Sequence, residues 1–196
     1  MKRIISLFTL ALCVSNLYGQ SLTDDPLARQ NLSESELSFY QDFLNFFNNQ
    51  IRCEDFTTSE ACWTEFLDGI QTGYGEGLDF IPYEDVKAFL SSSDTSGFKV
   101  WHKSPYVRFG QSDTSYNYSI AQNSPFFSLL MQAAEEDEYW QKVMESYENA
   151  GSFVFGIRNC LQKPLCNERL ADPKMQTLLA LYFAGFRMRI HEQVAY

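Results

Sequence analysis

The most restrictive feature of this sequence is a helical segment near its C-terminus that has no polar face. Asp172 and Pro173 predict where the helix begins, because aspartate caps a helix and proline suits its first turn. The pattern continues to about Ile190, and its middle, Leu178 to Phe186, is apolar on every side. A helix that is apolar all round is buried by other elements, and nine residues are too few to span a bilayer. The rest of the chain must therefore surround this helix.

Four further segments have the periodicity of amphipathic helices that can cover it. Ser33 and Glu36 form a capping box, which predicts a helix start, and apolar residues then recur every three or four positions, many of them aromatic. The other segments show polar caps, first-turn prolines and apolar stripes. The predicted helices are 34–52, 57–73, 82–90, 125–148 and 172–190. We therefore predict an all-α fold, or an α fold with a minor β-hairpin, in which about five helices surround an aromatic core.

The segment from about 97 to 122 has a different pattern. Its residues alternate between polar and apolar and are rich in strand formers, first from Phe98 to Lys103 and again from Tyr106 to Phe109. This alternation favours a hairpin or an irregular extended excursion over a helix. We therefore predict one helical domain over 20–196, with an extended insertion at about 97–122.

The N-terminus has the layout of a secretory signal peptide. Two positive residues precede the apolar run 4–14, and the small residue Gly19 ends the polar stretch that follows. This order predicts cleavage after Gly19 and hence a signal peptide over 1–19. Lipidation at Cys13 is the alternative, but Leu12 occupies the position where a lipoprotein signal has a small residue. Because the run is shorter than the roughly 20 residues of a spanning helix, we expect an exported protein, periplasmic or secreted, with no stable membrane insertion.

Four cysteines follow the predicted cleavage site, and an even number in an exported chain indicates disulfide bonds. Two local pairs, Cys53 with Cys62 and Cys160 with Cys166, would each close a short connection between predicted helices. A zinc site built from all four is the alternative, but their spacings do not match the usual two to four intervening residues. We therefore predict the disulfides Cys53–Cys62 and Cys160–Cys166.

The excess of acidic over basic residues limits the classes of partner that this chain can bind. The chain carries 25 acidic and 15 basic residues, which gives a formal net charge of −10. Nucleic acid and anionic membrane surfaces attract basic proteins and repel a chain of this charge. A protein is therefore the class of partner that we expect.

No residue pattern identifies a catalytic or cofactor site. The glycine cluster from Gly69 to Gly77 lacks the lysine of a phosphate-binding loop and the spacing of a dinucleotide fingerprint. The two histidines, His102 and His191, have no second ligand at a familiar metal-site spacing. The acidic run from Glu135 to Glu138 would point in all directions around a helix, which favours a solvated turn over paired catalytic acids. We therefore predict no catalytic residue, no metal and no cofactor.

The densest basic cluster of this acidic chain lies in the extended insertion, where aromatic residues are interleaved with it. On a strand, Lys99, Trp101 and Lys103 would share one face, a mixture suited to an anion or to a partner's aromatic surface. The alternative is that the basic groups pair with acids of the same chain while the rings pack inward. The predicted binding residues are Lys99, Trp101, His102, Lys103, Tyr106 and Arg108.

Together these features favour a non-enzymatic exported protein that binds another macromolecule, as immunity and inhibitor proteins of the cell envelope do. Two alternatives are a small exported hydrolase that uses Glu or Asp residues and a carrier of an apolar ligand. A cleft with two facing acids would indicate the hydrolase, and a large apolar cavity would indicate the carrier. An exposed basic and aromatic surface at 99–109 would indicate the binding protein.

Overall fold

The computed structural model describes residues 21–72, 81–93, 99–107, 114–150, 153 and 169–194, which form a mostly helical protein with one β-hairpin. The predicted signal peptide 1–19 and the predicted pair Cys160–Cys166 lie outside the described residues. Two short 3-10 helices, Leu22–Asp24 and Cys53–Asp55, accompany the α-helices. The main elements in chain order are α1 (Pro26–Asn31), α2 (Glu34–Gln50), α3 (Ser59–Thr72), α4 (Tyr83–Ser92), β1 (Trp101–Val107), β2 (Thr114–Ile120), α5 (Pro125–Glu136), α6 (Glu138–Ala150) and α7 (Pro173–Val194).

Helix α7 is the buried helix that its sequence predicts. Most side chains from Met175 to Ala184 are almost fully buried, and the helix contacts β2, α2 and α4. Tyr182 and Phe186 are the exceptions in the apolar run, because each is only partly buried. Within the described residues, no helix combines the length and the apolarity needed to cross a membrane. The apolar run is therefore covered by other elements except on the side that carries these two rings.

Aromatic rings fill the core, as predicted. Phe47 of α2 stacks on Trp63 of α3, with ring planes 6° apart and centroids 5.3 Å apart. Trp63 is fully buried, and its indole N–H donates to the Asn48 side chain at 3.0 Å, so burial leaves no unsatisfied donor on this ring. A disulfide joins Cys53 and Cys62 at the adjoining ends of α2 and α3. This bond confirms the first of the two predicted pairs.

The helix predicted over 125–148 is in fact two helices, α5 and α6. Asp137 interrupts it in an extended conformation, with φ −135° and ψ 120°, and its carboxylate accepts the Tyr139 backbone N–H at 2.8 Å. Arg169 donates to both oxygens of that carboxylate, at 2.7 and 3.2 Å. Burial raises the pKa of the Asp137 carboxyl. The hydrogen bond from the Tyr139 N–H and the charge of Arg169 together lower this pKa by more than burial raises it, so it lies below its ordinary value. The acidic run therefore contains a helix junction held by an ion pair.

Helix α1 is the second difference from the prediction, and with it the described residues contain seven α-helices. The Asp25 carboxylate caps α1 by accepting the Ala28 backbone N–H at 2.9 Å. Lys174 in the first turn of α7 forms an ion pair with Asp25 and lies 3.3 Å from Asp172, which caps α7. The Lys174 side chain is only 12% exposed. Lys174 therefore links the N-terminus of α1 to the N-terminus of α7.

Candidate functional site

The predicted extended insertion contains an antiparallel hairpin of β1 and β2, which we call the hairpin. Its register pairs Trp101 with Ile120 and Lys103 with Tyr118. Alternate residues of a strand share a face, so Trp101 and Lys103 lie on the same face of β1, whereas Lys99, predicted to share that face, precedes the strand. Strand β2 packs along α7, which places the hairpin beside the central helix.

Trp101 attaches the hairpin to the helical core. Its indole N–H donates to the Leu181 backbone carbonyl of α7 at 3.1 Å, and its ring meets Phe43 edge to face with centroids 5.8 Å apart. Gly185 permits this approach, because a Cβ atom there would lie 3.0 Å from the indole nitrogen of Trp101. A glycine inside a helix costs about 1 kcal/mol relative to alanine. The close contact with Trp101 gives the physical reason for glycine at this position.

The other predicted binding residues are placed differently from Trp101. The side chains of Lys99, His102 and Lys103 are exposed, whereas Trp101 is partly buried. The Tyr106 side chain and the whole of Arg108 lie outside the described part of the chain. Trp101 is therefore packed against the helices, whereas Lys103 on the same face of β1 is exposed, as are Lys99 and His102.

Lys103 is held over aromatic rings of the neighbouring strand. Its ammonium lies 4.1 Å from the ring centroid of Tyr116 and 5.3 Å from that of Tyr118. Both distances are within the range in which a cation is attracted to the negative face of an aromatic ring. We define the hairpin surface as Lys99, Lys103 and Tyr116.

A cleft of about 210 Å³ lies between the hairpin and α7. Trp101 and Tyr118 contribute rings from the hairpin side, and Tyr182 and Phe186 contribute rings from α7. The hairpin also lines the cleft with polar residues, among them Asn117. The partly buried rings of α7 therefore face a space of mixed aromatic and polar character.

Arg189 gives the cleft its charge. It is the one charged residue among the described lining residues, which include neither Asp nor Glu. Its guanidinium carbon lies 5.8 Å from the ring centroid of Phe186, a cation–π contact. Burial raises the pKa of Tyr182, and the nearby Arg189 lowers it by less, so this phenol is neutral at neutral pH. The cleft thus presents a positive group and neutral rings.

Sequence reasoning did not identify the α7 side of this cleft. Tyr182, Phe186 and Arg189 recur at spacings of four and three residues and therefore share one face of the helix. The first two belong to an apolar run that indicates core, so their exposure could not be read from the pattern. Gly185 was the available signal, since an isolated glycine inside a helical pattern often has a packing reason.

The described residues show no group of three or more His, Cys, Asp or Glu side chains that could hold a metal ion. Comparisons of the chain with protein-family models, with curated proteins and with solved structures found no match. The hairpin surface and the cleft are therefore the candidate sites of the described residues.

Proposed function

We propose that this chain is an exported helical protein that acts by binding another protein through the hairpin surface. The observation that carries the proposal is an exposed cationic and aromatic surface on a strongly acidic protein. Lys99 and Lys103 are exposed, and the Lys103 ammonium lies 4.1 Å from the Tyr116 ring centroid. Immunity and inhibitor proteins of the cell envelope belong to this functional class.

Charge segregation along the chain supports an acidic partner. Between Thr95 and Ala134 the single acidic residue is Asp113, whereas Lys99, Lys103 and Arg108 are basic. The whole chain has a formal net charge of −10, so this segment differs in sign from the average surface. Complementary charge accelerates association and disfavours wrong partners. A partner with an acidic patch fits this segment.

The attachment of the hairpin supports the same proposal. Trp101 binds the hairpin to α7 through a hydrogen bond and to α2 through ring packing. A binding surface that is already ordered before association loses less conformational entropy when the partner binds. The hairpin, which carries Lys103, is therefore held on the helical scaffold.

No observation specifically favours either alternative function, the hydrolase or the carrier of an apolar ligand. The described lining residues of the cleft include no pair of acids, and Asp137 of the acidic run is bound to Arg169 at a helix junction. The cleft of about 210 Å³ is smaller than the roughly 300–1,000 Å³ of sites for drug-sized ligands. The binding function is therefore the one that the hairpin and cleft support best.

The test is a pair of charge-reversal variants of equal size. The hairpin variant carries Lys99→Glu and Lys103→Glu, and the control carries Lys87→Glu and Lys142→Glu on exposed lysines of α4 and α6. Tagged wild-type protein captures the partner, which mass spectrometry identifies, and the affinity of each variant for that purified partner is then measured. We expect the hairpin variant to bind at least about tenfold more weakly, because close charge pairs at interfaces couple by about 1.5 kcal/mol or more.

The two variants change the net charge equally, so their comparison separates a local contact from a general charge effect. Equal loss in both variants would assign the effect to overall charge. Full binding by a folded hairpin variant would remove the hairpin surface from the interface. Either result contradicts the proposal.

Export and the second disulfide belong to the same proposal. We infer cleavage after Gly19 from the order of the positive, apolar and polar segments, and N-terminal sequencing of the exported protein should begin at Gln20 or within a few residues of it. We infer Cys160–Cys166 from local loop closure, and peptide mapping without reduction should recover the two cysteines in one linked fragment. An intact Met1 would contradict the first inference, and two free thiols at these positions would contradict the second.

A further inference from the structure

Two rings of α7 face the cleft although they belong to an otherwise buried run. Tyr182 and Phe186 are partly buried, their ring planes are 15° apart, and their centroids are 6.5 Å apart. Both residues line the cleft and present apolar ring surface to it. A second flat group can pack against such a surface, because aromatic pairs gain energy beyond the area that they bury.

Arg189 stands beside this ring surface. It lies three residues after Phe186 and hence on the same helix face, and its guanidinium carbon is 5.8 Å from the Phe186 ring centroid. A guanidinium group is planar and matches the two oxygens of a carboxylate. Arg189 lines the cleft, and its guanidinium therefore favours an anionic guest.

The hairpin supplies the opposite wall. Trp101 and Tyr118 add rings, while Ser104, Asn117 and Ser119 add polar groups. Polar groups in such a cleft can fix the orientation of a ligand. The volume of about 210 Å³ limits that ligand to one ring with a short substituent.

We propose that this cleft binds a small aromatic carboxylate, with its ring packed on Tyr182 and Phe186 and its carboxylate beside Arg189. The site is separate from the hairpin surface of the proposed function. A free aromatic acid and a peptide chain that ends in an aromatic residue share this chemistry. Ligand binding in the cleft therefore does not require a protein partner at Lys99 and Lys103.

Three probes separate the contributions of the aromatic ring and of the carboxylate charge to binding. Phenylacetate has both the ring and the charge, phenylacetamide keeps the ring without the charge, and acetate keeps the charge without the ring. Titration calorimetry on the purified protein should give the tightest binding for phenylacetate. We expect each of the other two probes to bind about tenfold more weakly or worse, since a charge-assisted bond is about twice as strong as a neutral one.

A matched pair of arginine variants locates the carboxylate. Arg189→Gln should abolish the preference for phenylacetate over phenylacetamide, whereas Arg29→Gln, at an exposed arginine of α1, should leave it unchanged. Should Arg189→Gln fail to fold, the wild-type protein still provides a test by NMR. The Trp101 indole N–H signal should then shift with phenylacetate, while the signals of Trp63 and Trp140 should not.

Equal affinity for phenylacetate and phenylacetamide would overturn the proposal, as would a phenylacetate titration that leaves the Trp101 signal in place. The peptide Gly-Gly-Phe separates the two sources of the ligand. Tighter binding of this peptide than of phenylacetate would identify a chain terminus as the ligand, and weaker binding would identify a free acid. Both of these results support the site.

Discussion

Replacement of Trp101 by alanine measures how firmly the hairpin is attached to the helices. Truncation of a buried tryptophan or phenylalanine typically costs about 3–5 kcal/mol of unfolding free energy. Trp101 is only partly buried, so we expect the lower end, about 3 kcal/mol. For a chain of this size each kcal/mol shifts the melting temperature by about 2–4 °C, which predicts a fall of roughly 6–12 °C.

Trp101→Phe divides this cost between packing and hydrogen bonding. Phenylalanine keeps a ring beside Phe43 but cannot donate to the Leu181 carbonyl, so we expect a loss of about 1 kcal/mol, the net value of one hydrogen bond. Thermal melting monitored by circular dichroism measures both variants, and His102→Ala at the exposed neighbouring position is the control, with an effect within about 0.5 kcal/mol.

A Trp101→Ala protein that melts within about 1 °C of wild type would refute this account. It would mean that the indole contributes nothing to stability at α7 and is available as an exposed anchor. A stable variant with weakened partner binding would then move Trp101 into the interface, where aromatic anchors lose about 2 kcal/mol or more on truncation.

Three further changes test other parts of the fold. Gly185→Ala should destabilise by about 1–2 kcal/mol despite its better helix propensity, because overpacking against Trp101 costs more; in a Trp101→Ala background the same change should become neutral or stabilising, and thermal melting of the four proteins measures this. Lys174→Met should cost about 3 kcal/mol or more in urea unfolding, because it leaves two largely buried aspartates without their cation. Replacement of Cys53 and Cys62 by serine should cost about 2.5 kcal/mol in the same assay, the loop-entropy value for a short loop, and no change would contradict that loop-closure argument.

The helical architecture could be predicted because its signals are local. Capping by Ser33 and Glu36 is present as a complete capping box, and Ser124 with Pro125 starts α5 as the sequence indicates. The apolar run of α7 also predicted its burial, since a helix without a polar face needs neighbours on all sides. Each of these predictions uses residues within a few positions of one another.

The differences arise where distant residues decide the structure. Asp137 ends α5 because Arg169, 32 residues away in sequence, binds its carboxylate, and the four consecutive acids alone do not indicate a break. Helix α1 has only six residues, too few to be stable alone, and Asp25 is joined to Lys174, 149 positions further along the chain. Local periodicity carries no information about such pairs.

The cleft escaped prediction for a related reason, and Gly185 shows how fold and candidate site are connected. An unbroken apolar helix would be covered everywhere, but a residue without a Cβ lets Trp101 approach to hydrogen-bond distance of the α7 backbone. The hairpin is thereby attached along one face of α7, and the rings of Tyr182 and Phe186 beside that face remain partly exposed. A larger residue at Gly185 would push the hairpin away and change both the cleft and the position of the hairpin surface. Partner affinity and phenylacetate affinity should therefore change together in Gly185→Ala, although the two proposed sites share no binding residue.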